Sequence, residues 1–225
     1  MIDRSQYRIM MLVLVLAILS TGLSADELPS DQAPFPASSI EFRIGRDFSV
    51  DRLTGTTISW KQYDSKGNAW RLGIAPEYTK MSDPDRYGIM GSFESTSQSL
   101  TLEGQRLFFL NSRSLARPYV GLGAFAGIGR LNSQESYLGW EEQSVEESNT
   151  RDSYRAGFVC ALGAEFIIAN RIALGAEYAV EAQWFHSEDN EVIHVDNELS
   201  SNRQFSVTRY DFHNRMVAMT LAILF

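Results

Sequence analysis

His186, Ser187 and Glu188 stand in a row, and histidine, serine and a carboxylate are the residue types of acyl-transfer chemistry. That chemistry needs the imidazole within hydrogen-bond reach of the hydroxyl. The surrounding residues alternate apolar and polar, and adjacent side chains of a strand point to opposite faces. His186 and Ser187 are therefore expected to face apart, and no catalytic residue is assigned. His194 and His213 stand at no metal-ligand spacing from His186. Gly121-x-Gly123 looks like a fragment of a phosphate loop, but it runs on as a strand and opens no helix. The single cysteine, Cys160, excludes an intramolecular disulfide and falls on an apolar face. No metal or cofactor is expected.

Carboxylates are the other candidates. One set crowds two stretches: Glu135, Glu141, Glu142, Glu146, Glu147 and Asp152, then Glu188, Asp189, Glu191, Asp196 and Glu198. Such oxygens suit hard cations or a basic partner, yet their spacing matches no calcium loop, and a solvated surface is the expected reading. A second set alternates with basic residues inside regular segments: Glu41, Arg43, Lys61, Arg71, Glu77, Glu103, Arg155, Glu165, Glu177 and Glu181. Their positions depend on the elements that carry them.

Those elements alternate with period two. Ile172, Leu174, Ala176, Tyr178, Val180, Ala182 and Trp184 share one face, against Ala173, Gly175, Glu177, Ala179, Glu181 and Gln183. Ala156 to Phe166 and Val120 to Ile128 repeat the pattern, as do Trp70 to Tyr78 and, more weakly, Ile40 to Ile44 and Ile58 to Trp60. The fourth segment runs from about Gln98 to Leu110. The chain ends on Val217, Met219, Leu221, Ile223 and Phe225 over a mostly small opposite face. Helical spacing of apolar residues does not form, so eight strands are expected. Turns after the second, fourth and sixth are short. Those after the third, fifth and seventh are long, about Met81 to Ser97, Leu131 to Ser153 and Ser187 to Asn202.

Near the N-terminus, Arg4 and Arg8 precede the apolar run Met10 to Leu19, with Ala25 at a small-residue cut site. Residues 1–25 read as a secretory signal removed near Ala25, 26–38 as a linker and 39–225 as one domain. No other stretch reaches the roughly 20 apolar residues of a membrane helix. A formal charge of -8 disfavours electrostatic binding of nucleic acid.

The polar face decides between two barrels. A secreted lipocalin-like barrel hides an apolar lumen and wets its outside. Here that would place Trp60, Trp70, Tyr78, Phe166, Tyr178, Trp184 and Phe225 at the rims of a small lumen and the charges outside. The reverse placement puts greasy residues against lipid, aromatics at the interfaces and paired charges inside. The expected fold is thus all-β: a single eight-stranded antiparallel transmembrane β-barrel with short periplasmic turns and longer outer loops. Its interior is only wide enough for side chains to fill it. Two residues sit awkwardly there. Pro76 calls for a bulge or a strand end, and Arg106 for snorkelling or a bulge.

GTTISWKQYDSKGNAWRLGI (Gly55 to Ile74), RPYVGLGAFAGIGR (Arg117 to Arg130) and the VAMTLAILF terminus resemble the OmpA/OmpX-like outer-membrane β-barrel domain family. The resemblance covers nearly everything after the linker. It implies a non-enzymatic barrel of the cell outer membrane, structural or surface-interacting, surrounded by lipid and lipopolysaccharide. It also implies insertion by the barrel assembly machinery, which would read Val217, Met219, Leu221, Ile223 and Phe225 as its signal. A monomer is expected, with room for an extracellular partner. A narrow channel is the alternative reading, and a lipid-modifying enzyme a third.

Overall fold

Alternating polarity becomes a closed sheet. In the computed structural model, the described residues are 38–49, 54–83, 91–110, 116–138, 143–169, 171–196 and 198–225. They form eight strands: β1 Ser38–Ser49, β2 Thr54–Tyr63, β3 Ala69–Asp83, β4 Ser92–Phe109, β5 Ala116–Leu138, β6 Ser144–Ala169, β7 Ile172–Val195 and β8 Glu198–Leu224. Each pairs antiparallel with the next, and β8 pairs with β1 to close the barrel. The segments read as signal and linker lie outside the described residues, except Ser38, which already belongs to β1.

Closure is strongly staggered. Phe42 pairs directly with Leu221 of β8. Followed the other way, from Phe42 through Ile58, Ile74, Leu102, Ala126, Ala156 and Trp184, the rungs arrive at Tyr210. Leu221 and Tyr210 are eleven residues apart, one of them inserted at the irregularity opposite Glu177 and Ala179, so the stagger is ten. Such a shear tilts the strands by about 35–45° and leaves an interior that side chains can fill.

The wall is lopsided. β1–β8 and β2–β3 ladders each hold six rungs, whereas β5–β6 runs unbroken from Ala116 to Leu138. Most of the stretches expected as outer loops are therefore strand. β5 continues to Leu138, β6 starts at Ser144, and β7 and β8 meet around Asp196, whose φ is 50°. The alternation signal fades there because the side chains of that extension are mostly polar and, Ser187 and Asp189 apart, at least partly exposed on both faces. Polar, β-branched and aromatic residues then sustain pairing without an apolar stripe.

Outside and inside are inverted relative to a soluble protein. Phe158, Leu162, Leu174, Tyr178, Phe212 and Met219 are exposed, and the even-numbered residues of β7 up to Val180 alternate outward against buried Ala173, Glu177 and Ala179. Val217, Met219, Leu221, Ile223 and Phe225 all face outward, while Thr220, Ala222 and Leu224 are buried. A water-soluble monomer does not present such a continuous apolar belt.

Arg106 is snorkelled, with no shift of register around it. It forms an ion pair with Asp64 in the β2–β3 turn, and its guanidinium lies 5.1 Å from the Trp70 ring centre. Asp64 also accepts from the amides of Lys66 and Asn68, and Gly67 (φ 78°) supplies the left-handed residue that this tight turn needs. Pro76 marks neither a bulge nor the end of β3. It pairs across from Leu100 in an unbroken β3–β4 register, two residues above the last β2–β3 rung at Ile74.

Candidate functional site

The interior holds eight charged side chains in one alternating chain. Arg117 meets Glu165 at 3.4 Å, and Glu165 pairs with Lys61. Lys61 reaches Glu41 at 2.6 Å, and Glu41 reaches Arg71 at 3.0 Å. Arg71 then contacts Glu177 at 2.6 Å, Glu177 contacts Arg43 at 2.8 Å, and Arg43 ends on Glu103 at 3.0 Å. Four cations face four carboxylates, and every one of these side chains is at most 7 % exposed. Buried charges of this kind persist only when paired, and alternation gives each inner member two opposite neighbours.

Neutral groups complete the chain. The Tyr119 hydroxyl donates to Glu177 at 2.7 Å, and the Tyr63 hydroxyl donates to Glu165 at 3.2 Å. Gln105 accepts from Arg71 and donates to Glu103 at 2.7 Å. Gly163 makes room for this arrangement, because a Cβ there would run into the ring of Tyr119. At the lower mouth, the Arg117 guanidinium lies 5.5 Å from the ring centres of both Tyr63 and Phe109, beside buried Leu107 and Ala69. Charge and aromatic packing together fill the lower barrel.

Seven of the ten residues expected inside belong to this chain: Glu41, Arg43, Lys61, Arg71, Glu103, Glu165 and Glu177. Glu77 and Arg155 stand apart from it, 3.7 Å from each other and both partly exposed, with Ser99 donating to Glu77 and Arg155 donating to Thr101. Glu181 is buried at 8 % exposure and joins none of the seven pairs. Arg117 falls outside the expected set, because the residues before Pro118 read as a turn. Its parity with Tyr119 and Gly121 is the signal that places it inward.

His186 and Ser187 face apart. Ser187 is buried and donates to Asp189 at 3.2 Å, whereas Nδ1 of His186 meets Thr208 at 2.8 Å on the other face. Cys160 is exposed on the apolar side. No cluster of three metal-ligating side chains occurs among the described residues.

Above the filled zone, the acidic residues decorate strands. Asp152 takes a two-pronged contact from Arg130, Asp189 pairs with Arg151, and Asp196 accepts from the Ser144 amide at 3.0 Å. Glu141 and Glu142 lie outside the described residues, as does Trp140. Glu135 sits directly across from Glu147, and Glu191 pairs one step away, opposite Asn149. Partial burial, with Glu191 and then Glu135 nearby, raises the Glu147 carboxyl above the ordinary carboxylate range. A carboxyl raised in the folded state favours folding below its unfolded value, and that contribution fades as pH rises through the raised value. Acidification from about pH 7 toward 5 is therefore expected to tighten the outer sheet here. Slower amide exchange at rungs 133–137 and 145–149, after correction for intrinsic rates, checks this.

No family model matches the chain, and no curated protein does. Among solved structures, it is similar to a major outer membrane protein of Thermus thermophilus, at 12% identity and TM-score 0.47, covering 84% of this chain and 98% of that one. CarO of Acinetobacter baumannii matches at 9% identity and TM-score 0.44, over 87% and 100% of the two chains. Ail, the attachment invasion locus protein of Yersinia pestis, matches at 11% identity and TM-score 0.37, over 83% and 92%.

Proposed function

We propose that this chain is an integral, non-enzymatic barrel of the outer membrane, closed to solutes below and working through the sheet it raises above the bilayer. The carrying observation is the inversion: ionised side chains are buried in mutual pairs while a belt of large apolar side chains, among them Phe158, Leu162, Leu174, Tyr178 and Met219, lies exposed on the exterior. Lipid is the solvent that makes both halves of that arrangement favourable. The alternating ion chain and the Tyr63–Phe109–Arg117 base favour a filled lumen over the narrow-channel reading. The separation of Ser187 from His186 favours a binding or structural role over hydrolysis.

In this reading, β5 to β8 stand well clear of the membrane and present Glu135, Glu146, Glu147, Glu188 and Glu191 to the medium. Such a surface suits a basic partner on another cell or in the surroundings. The Val217 to Phe225 strand offers the assembly machinery an apolar stripe ending in an aromatic.

Cell fractionation combined with surface proteolysis tests both location and orientation. The chain is expected in the outer-membrane fraction, migrating faster on gels when unheated. Protease added to intact cells should cut at residues 139–143, between β5 and β6. Recovery of the mature chain in a soluble fraction would overturn the reading, and cleavage only after lysis would reverse its orientation.

A further inference from the structure

Outward polarity changes at a single step on three adjacent strands. Leu100, Ile128 and Tyr154 face one another across β4, β5 and β6, and Gln98, Arg130 and Asp152 do the same two residues higher on each strand. The lower row closes the apolar run of its strands, and the upper row opens their polar extension. Tyr78 lies across from Gln98, and Trp184 lies across from Tyr210. Rings of this kind gather where hydrocarbon gives way to headgroups, so the step marks the upper interface of the barrel.

A groove of about 440 Å³ lies at this step, lined by those six side chains over the chain at Ser99, Gly129 and Ser153. Beneath it the outer wall is shallow. The next rungs down, Leu102–Ala126–Ala156 and Gly104–Ala124–Phe158, set small residues side by side. Ala126 faces outward yet is only 4 % exposed, whereas Leu102, Ile128 and Phe158 around it stand proud. An acyl chain laid in such a furrow meets wall atoms beneath it and on both sides, which multiplies its dispersion contacts.

The polar row carries its charges in a fixed order. Arg130 on β5, Asp152 on β6 and Glu188 on β7 are successive cross-strand neighbours. Asp152 holds the exposed Arg130 guanidinium through Nε at 2.7 Å and one terminal nitrogen at 3.0 Å. A guanidinium has five N–H donors, so this grip fixes its orientation and leaves three on its terminal edge for another acceptor. Glu188 is partly exposed, 3.9 Å from Nε2 of His186, whose ring stacks with Trp184 and Tyr154. One cation followed by two carboxylates makes the row net negative. A headgroup bearing phosphate alone meets net repulsion there, whereas one bearing phosphate and ammonium meets an opposite charge at each end.

We propose that this groove binds a membrane lipid with a phosphoethanolamine headgroup. The phosphate takes the terminal edge of Arg130 with Gln98 beside it, and the ammonium lies between Asp152 and Glu188. One acyl chain descends over Ala126 and Ala156, between Leu102 and Phe158. Asp152 serves twice, orienting Arg130 and receiving the ammonium. This rests on the membrane reading given above and adds a headgroup preference that an apolar belt alone would not have.

The test titrates the full mature barrel in detergent micelles with phosphatidylethanolamine or phosphatidylglycerol and follows bound lipid by native mass spectrometry. Phosphatidylethanolamine is expected to bind about tenfold more tightly, the effect of one added charge-assisted contact. Arg130→Gln and Glu188→Gln should each remove most of that preference. Lys80→Gln, which deletes a cation across from Thr96 and outside the groove, should leave it unchanged. Equal binding of the two lipids, or tighter binding of phosphatidylglycerol, would overturn the proposal. So would a preference that survives either groove variant in a chain that migrates as folded, or displacement of the bound lipid by free O-phosphoethanolamine at equal concentration. A chain that enters no phospholipid vesicle as a heat-modifiable barrel would overturn the membrane reading instead.

Discussion

Glu177→Ala is expected to lower the stability of the barrel by about 3–5 kcal/mol, read as a drop in the urea midpoint of the unheated gel form in lipid vesicles. Glu177 sits inside the ion chain, with Arg43 at 2.8 Å, Arg71 at 2.6 Å and the Tyr119 hydroxyl at 2.7 Å. Its removal leaves two guanidinium groups, each with one carboxylate where it had two, in an interior that water does not fill. Most of the cost is that stranded charge. A charge-balanced change should therefore hurt much less. Replacing Arg43 and Glu103 together by methionine removes the end pair and keeps Glu177 on Arg71. Swapping a whole buried pair for packed apolar groups is often near neutral. Glu77→Ala gives the opposite control. Its pair with Arg155 is 3.7 Å long and partly exposed, so the loss should stay within about 1 kcal/mol. Equal losses from Glu177→Ala and the double replacement would mean that packing, and not charge, holds the lower barrel.

The difference between these sites also shows what can be read from the residues alone. Inside versus outside is legible wherever one face meets lipid. There the pattern is large and apolar against small or charged, as in Ile172 to Trp184, and parity alone places Glu177 and Glu181 inward. Which charges meet is not legible. Glu177 lies 134 residues from Arg43 in the chain, and their contact depends on the stagger of ten that only closure sets. Strand length escapes for a different reason. Across much of Leu131 to Ser153 both faces are wet, so pairing leaves no hydrophobic period to detect, and a ladder reads as a loop. Arg106 needs Asp64, which a neighbouring turn supplies across the β2–β3–β4 rungs. Pro76 needs the β2–β3 ladder to stop at Ile74, which no local feature of β3 reveals. Long-range register, in short strands and long ones alike, is the information that period-two reasoning lacks.

Leu162→Arg separates a bilayer-embedded barrel from a soluble one most sharply. Leu162 is 57 % exposed on β6, between Phe166 near the lower end of the belt and Phe158 above it, and its chain neighbour Ala161 is fully buried. In water, an arginine at so exposed a position would be close to neutral, or would improve solubility. In lipid it stands near mid-depth, too far from either interface for its side chain to reach water without deforming the bilayer. The expected cost there is about 2–4 kcal/mol, with folding yield into vesicles falling accordingly. Ser148→Arg, on the same strand above the belt, should change neither. The pair of variants also reports depth. Moving the arginine along the outward face from Phe166 through Leu162 and Phe158 to Tyr154 should trace a cost that rises to the middle and falls at both ends. A flat profile would remove the bilayer from the account, and with it the reason for burying four cations and four carboxylates at the centre of so small a protein.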